Sequence, residues 1–451
     1  MIGFGSTLFV FYPGIMTYDA KFVHDDIAKH TLGDWQSPAM TVLWRFVEPV
    51  APGAAGMFLL IAASYWAAFA ALALAVARRA SRIAVLLPLI ALTPPAFVFV
   101  GIIWRDVLFA TSWLLAGALV FAAPSRARRP AQALALALCL FGLLLRPNAL
   151  IAAPVLAAYV LWPAGLRMRH VAIVFVPAML GFAALIHIIY YDVLGATRQH
   201  PLQSIMVFDL GGISHFARQN QFPTTWDTGE TARLLNDCYK PTEWDIYWRL
   251  PPCDFVMHKL EAQEKLFGTS TIVLAWARAI VHHPVAYLEH RGAFMWNFLT
   301  GANLTMWVAD IDKPSEIVFH DRRAFMAVKS IHDLLKPTPL FRAGTWLIIC
   351  LVVCAVAWPR RRQREGAFAL GTCGSAAIYV LTFLFVGVAS DFRYAYWAVL
   401  AALTGGAVVV SGRVEPDPGR IESRRWWPIA GRGRRINPER THSSCVVLVR
   451  S

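Results

Sequence analysis

The chain has 451 residues, 57% of them hydrophobic and only 16% charged, yet it carries a net charge of +14. A soluble globular protein carries roughly 25% charged residues. The composition, with a mean hydropathy of +0.50, therefore excludes an ordinary soluble domain and points to a polytopic membrane protein.

In chain order, the apolar runs predict ten transmembrane helices, at about 1–13, 53–77, 83–103, 107–123, 131–145, 149–163, 171–190, 343–358, 367–389 and 396–411. The first run is short for a bilayer, which needs about 20 residues, and it lacks the basic start of a signal peptide. It reads either as a stub packed on other helices or, preferentially, as the end of a segment that begins upstream. Thr93, Pro94 and Pro95 threaten to break the third run. The organisation that follows is a seven-span unit, 1–190, with a long first outer loop, 14–52. After it come a mixed, mainly helical insertion, 191–342, three more spans, 343–411, and a basic, disordered cytoplasmic tail, 412–451.

Arginine sets the sidedness. Segments 78–82, 125–130, 164–170, 359–366 and 412–451 hold 21 Lys and Arg against 5 acids, and the rest of the chain holds 21 against 23. The positive-inside rule makes the first set cytoplasmic. Loop 14–52, the turns at 104–106 and 146–148, the insertion and 390–393 then face outward. Of seven cysteines, only Cys238 and Cys253 fall in the insertion. In an oxidising compartment they are expected to form a disulfide, the alternative being two unrelated thiols. No Cys or His spacing of a zinc site occurs. Within the insertion, 257–266 and 321–335 read as amphipathic helices, and Pro284 opens a further helix that suits the membrane interface.

The first outer loop contains "YPGIMTYDAKFVHDDIAKHTLGDWQSP", with four acids just beyond an apolar run. Its pattern predicts a helix over 17–31, capped by Thr17 and ended by Gly33. A second helix is expected over 38–48. On the first helix, Asp19, Asp26 and His30 lie 7 and 4 positions apart and project within roughly 20° of one another, on the same side as Phe22, Val23 and Ile27. A solvated acidic helix would turn such groups away from its apolar face. Carboxylates facing inward need a partner, a cation or a substrate, although Asp19 also suits the first turn of any helix. Three outward turns supply solitary cations: "WRDVLF" carries Arg105 and Asp106, "LRPNALIAAP" carries Arg146 and Asn148, and "DFRYAYW" carries Arg393 and Tyr394. Each serves equally well as an interfacial anchor, but together they suit bidentate clamping of a phosphate. Trp226, Trp244, Tyr247 and Trp248 are expected chiefly to pack in a core.

These stretches, with "GDWQSP" and "HHPVAYLEHR", resemble the motifs of GT-C superfamily membrane glycosyltransferases. The likeness is to relatives of glycosyltransferase family 39, the protein O-mannosyltransferases and the aminoarabinose transferases. It covers 1–190 best, then 280–292 and 390–397. It implies an all-α, GT-C-like bundle whose first outer loop forms two juxtamembrane helices. It also implies a sugar donor on polyprenyl phosphate, with Asp19 as the catalytic carboxylate and Arg393 near the lipid phosphate. Asp26 or His30 would assist Asp19, and Arg105, Arg146 and Arg393 would neutralise the leaving phosphate. Related sequences often carry His where this one has Gln36, which puts conserved activity in question. Some relatives use a divalent metal, but the acidic spacing here is no recognisable cage. The expected partners are the lipid-linked sugar, membrane lipids and a glycan, lipid or protein acceptor, with no nucleic acid. The competing readings are a polymerase or ligase using lipid diphosphates, a transporter, and a non-catalytic scaffold.

Overall fold

In lipid, backbone N–H and C=O groups must be satisfied within the chain, so an apolar run becomes a helix. A computed structural model describes residues 2–78, 81–248, 251–303 and 322–412. All regular structure among them is helical, with three isolated backbone bridges in place of sheets. The helices of eight or more residues are α1 (Ile2–Phe11), α2 (Tyr18–Ala28), α3 (Pro38–Val47), α4 (Ala54–Ala77), α5 (Arg105–Ala122), α6 (Arg128–Leu145), α7 (Ala153–Leu161) and α8 (Met168–His187). They continue with α9 (Gln203–Ala217), α10 (Thr228–Asn236), α11 (Ser270–His282), α12 (Pro284–Thr300), α13 (Arg322–Leu335), α14 (Ala343–Ala357), α15 (Arg364–Val386) and α16 (Tyr396–Ser411). The basic tail read from the sequence lies, beyond Gly412, outside the described residues, as does 304–321 of the insertion.

Seven helical segments are long and apolar enough to cross a membrane: Ala54–Ala77, Arg105–Ala122, Ser125–Leu145, Met168–Val193, Ala343–Arg360, Arg364–Val386 and Phe392–Ser411. The other three expected spans are shorter. Ile2–Phe11 has 10 residues and Ala153–Leu161 has 9, about 15 Å of helix or less at 1.5 Å per residue, half of a hydrocarbon core. The run at 83–103 is broken as its prolines suggest. Leu86–Ala91 stops, Thr93 turns extended, and Pro94 opens a new short helix that passes into a 3₁₀ turn at Val98–Gly101. Proline has no N–H to continue the helix and restricts the residue before it.

The core sits around α5. Burial reaches 78% across α5 and 0% across Met168–Val193, so α5 is central and α8 lies on the outer rim of the bundle. Trp113 of α5 packs edge-on against Trp397 of α16 at 5.7 Å and tilted against Phe109 at 4.6 Å. Gly142 of α6 lets the Trp113 indole approach, since a Cβ there would fall 2.3 Å from its Nε1.

Helix direction sorts the charges. The N-terminus of α5, the C-termini of α6, α8 and α15 and the N-terminus of α16 share one end of the bundle, where a cavity opens. The arginines at 126–129, 167–169 and 360–364 lie at the opposite ends of the same helices. That basic end is cross-linked. Leu166 N–H donates to the Arg361 carbonyl at 2.7 Å, and Arg364 donates to the carbonyls of Phe121 and Ala123.

Candidate active site

The first outer loop is held by backbone pairing. After α1, Gly14 adopts φ +100°, and a Cβ there would lie 2.7 Å from that of Phe58. Only glycine accepts both conditions. The chain then bridges in parallel to the broken third run: Ile15 N–H donates to Gly101 O at 2.9 Å, and Ile103 N–H to Ile15 O at 3.0 Å. That register sets Thr17 against Trp104, whose indole N–H donates to Thr17 Oγ1 at 2.7 Å. Thr17 does occupy the N-cap of α2 with extended backbone, but its hydroxyl makes no capping bond, because Trp104 takes it. Two residues on, Asp19 reaches the Arg105 side of the cavity.

The far end of the loop is sewn to 197–199. Thr197 N–H donates to Leu32 O and Asp34 N–H to Thr197 O, at 2.8 and 3.1 Å. The Asp34 carboxylate accepts from Tyr191 Oη at 2.8 Å and from Gln199 N–H at 2.6 Å. This acid is a structural staple. Ser37 caps α3 by accepting from Met40 N–H at 3.1 Å while donating to Leu144 O at 2.7 Å, which joins the loop to the end of α6.

A cavity of about 690 Å³ lies under this loop, within the 300–1,000 Å³ usual for ligand sites. It gathers residues from segments far apart in the chain: Asp19, Gln36, Arg105, Arg146, Asn148, Asp391, Arg393 and Tyr394 all line it. Asp19 Oδ2 lies 2.7 Å from Arg393 Nη1, and Gln36 Nε2 donates to Asp19 Oδ1 at 3.5 Å. Arg146 is ion-paired with Asp106, which is 3% exposed and sits just behind the cavity wall. The Arg146 guanidinium also lies over the Tyr394 ring at 4.9 Å, and Arg393 over the Trp104 ring at 4.8 Å. Arg105 differs from both. Its Nη1 donates to Trp35 O at 3.3 Å, and among the described residues it has no carboxylate within ion-pair distance. The half-buried Arg105 thus stands near Asp19 and Asp106 without a direct ion pair to either, and Lys336 also lines the cavity.

Two sequence candidates lie elsewhere. The helix ends at Ala28, three residues before the expected end, and His30 takes a left-handed conformation (φ 54°) and is exposed. The projected alignment of His30 with Asp19 needs a helix that does not extend that far. Asp26 turns to the loop and accepts from Thr31 Oγ1 at 2.8 Å. The buried side of α2 is Ala20 and Val23, with Phe22 at the cavity. Cys238 and Cys253 are disulfide-bonded, and the loop they close carries Trp244 and Trp248 into the cavity wall. Tyr247 is buried and Trp226 packs with Phe222, Phe255 and Lys259 away from it.

Sequence reasoning missed Asp391, Glu243 and Tyr190 as cavity residues. Asp391 opens the "DFRYAYW" stretch, two residues before Arg393. From the "HHPVAYLEHR" stretch, His290 and Arg291 are fully buried around Asp209, with Arg291 Nε 2.6 Å and His290 Nε2 3.3 Å from its Oδ1. Arg291 Nη1 donates to Gly387 O at 2.7 Å, which fixes the end of α15 just before the segment bearing Asp391 and Arg393.

No protein-family model, curated protein or solved structure matches the chain.

Burial pushes the Asp19 carboxyl up, but Arg393, Arg105 and Arg146 outweigh it, so Asp19 is held below the usual carboxylate range. Burial dominates at Asp391 and pushes it up to about 6, against an opposing pull from Arg393. The two acids titrate on opposite sides of the unfolded value of about 3.9. Folded Asp391 holds its proton more tightly than the unfolded chain does. Its stability contribution is complete below about pH 4 and is lost as pH rises through about 6. Asp19 contributes above its unfolded value and loses that only as pH falls further. Replacing Asp391 with Asn is thus expected to leave the thermal midpoint near wild type at pH 3.5 and to raise it increasingly above wild type as pH goes from 4 to 6. A difference that stays constant across that window would refute the assignment.

Among the described residues, no three His, Cys, Asp or Glu side chains converge as a metal ion requires. Both Asp19 oxygens are already met by Arg393 and Gln36.

Proposed function

We propose that the protein is a membrane glycosyltransferase of GT-C type that moves a sugar from a polyprenyl-phosphate donor to an acceptor hydroxyl or amine. The observation carrying this reading is the cavity in which Asp19 meets Arg393 while Arg105, beside them, has no carboxylate within ion-pair distance among the described residues. A guanidinium without a direct ion pair next to a paired one suits a phosphate, which both can hold bidentately. A phosphate taking Arg393 competes with Asp19 for the same guanidinium. Donor binding then frees the carboxylate at the moment a base is needed.

In the reaction, the acceptor heteroatom bonds to the anomeric carbon and the bond from that carbon to the phosphate oxygen breaks. The electron pair leaves with the polyprenyl phosphate, and the acceptor proton passes to Asp19. The phosphate needs no proton donor because cations neutralise it. Displacement by one base in one step inverts the anomeric centre. Gln36 holds the other Asp19 oxygen and so serves as a positioning residue. Asp106 holds Arg146 in place, and Asp26 and His30 take no part.

The cavity end faces away from the arginine-rich helix ends. By the positive-inside rule it opens on the periplasmic side of the bacterial inner membrane, where lipid-linked donors present their sugars at the headgroup level.

Arg105→Ala is expected to weaken binding of polyprenyl phosphate by about 10- to 100-fold, the loss of one charge-assisted hydrogen-bonding group, with Arg105→Lys recovering part of it. Titration of farnesyl phosphate into nanodisc-reconstituted protein measures this. Equal affinity in wild type and Arg105→Ala would remove the anion site.

A further inference from the structure

The cavity has a second wall that the transfer chemistry does not use. The indoles of Trp35, Trp244 and Trp248 follow one another along it, with centroids 5.7 Å apart for the first pair and 6.2 Å for the second, the latter stacked at 26°. The row begins at the reacting end. Trp35 precedes Gln36, which touches Asp19, and its carbonyl accepts from Arg105. It ends at Trp248, 39% exposed. Glu243, with 37% of its side chain exposed, and Thr242 lie on the same wall.

The wall is anchored at both ends. Residues 242–244 pair antiparallel with 388–390: Trp244 N–H donates to Val388 O at 2.9 Å, and Ser390 N–H to Thr242 O at 2.8 Å. The Cys238–Cys253 disulfide closes the loop that carries them. The aromatic row is therefore held in register with Arg393, three residues beyond Ser390.

We infer that this row is a binding ledge for a carbohydrate chain, so that the acceptor in the proposed transfer is an oligosaccharide whose terminal hydroxyl reaches Asp19. A pyranose has an apolar C–H face that packs on an indole and a rim of hydroxyls that bond to carboxylates and threonine. Trp35 and Trp248 offer partly exposed indoles to a sugar chain, while Trp244, 6% exposed, is buried between them and supports both. A peptide acceptor would favour a free backbone edge, but the edge of 242–244 is already taken by 388–390. A lipid acceptor would need an apolar trough, whereas this wall carries Glu243, Thr242 and Asp245.

The inference rests on the glycosyltransferase reading for the word acceptor, while the binding is testable alone. Wild-type protein in nanodiscs is titrated with chitotetraose, mannotetraose and maltotetraose, and with a serine- and threonine-containing peptide of similar size, following tryptophan fluorescence. Saturable binding of at least one oligosaccharide is expected, weakened tenfold or more in Trp248→Ala and largely kept in Trp248→Phe. Trp248 is surface-placed, and a thermal midpoint close to wild type verifies that its removal leaves the fold intact. Absence of saturation by any of the three sugars, equal affinity in Trp248→Ala, or saturation by the peptide alone would overturn the ledge. Sugar binding without any farnesyl phosphate binding would instead remove the transfer reading and leave the ledge standing.

Discussion

If the proposed transfer holds, Asp19→Asn is expected to lower its rate by about 10²- to 10⁴-fold, the range of a lost general base, while farnesyl phosphate still binds. The amide keeps the shape of the carboxylate and its contact with Gln36, but it cannot take the acceptor proton. It also cannot balance positive charge growing on the sugar. Arg393, released from its 2.7 Å ion pair, becomes more available to an anion, so donor affinity is expected to hold or rise. Arg393→Ala should do the reverse and weaken donor binding. The separation of rate from affinity is the test. It is read by single-turnover transfer from a polyprenyl-phosphate sugar alongside the binding titration. A variant at position 19 that transfers at the wild-type rate would end the proposed mechanism, and one that loses donor binding in step with rate would make Asp19 a structural residue.

The second large effect is on stability and needs no view of function. Asp106 is 3% exposed, and the side chain of its partner Arg146 is 10% exposed. Removing one member of a buried pair strands the other charge, at a cost of about 3–5 kcal/mol. Asp106→Ala is therefore expected to lower the thermal midpoint by many degrees and to disorder the cavity wall at Pro147 and Asn148. The double variant Asp106→Leu/Arg146→Met should recover most of the loss, because two apolar groups of similar size leave no charge stranded. A double variant no more stable than Asp106→Ala would show that the pair is not what holds α5 to α6 here. Arg105, its neighbour in sequence, has no such partner, so Arg105→Ala is expected to change the midpoint much less than it changes anion binding.

Much of the bundle could be read from hydropathy, because a run long enough to span lipid has only the helix available to it. The seven long segments and the two short helices of the first outer loop were legible in this way. The break at Thr93–Pro94 was legible as a warning, since proline acts through local covalent geometry. Helix ends were less so. The projection that joined His30 to Asp19 assumed a helix as far as residue 31, but the chain leaves the helix at Lys29, and a helical wheel carries no information past that point.

The sequence by itself determined that the chain is a helical membrane protein, that its arginines crowd one set of helix ends, and that Asp19, Arg105, Arg146 and Arg393 are worth attention. These follow from solvation and local periodicity, which act residue by residue. Only the tertiary structure decided which charges neutralise each other. Asp106 takes Arg146, Asp19 takes Arg393, and Arg105 is left over, because those pairings depend on the parallel bridge of Ile15 to Ile102 and on where α15 ends, contacts between residues up to hundreds of positions apart. The same holds for the acid at Asp34, which looked like its neighbours in composition and became a staple, and for three tryptophans whose row exists only once 242–244 pairs with 388–390.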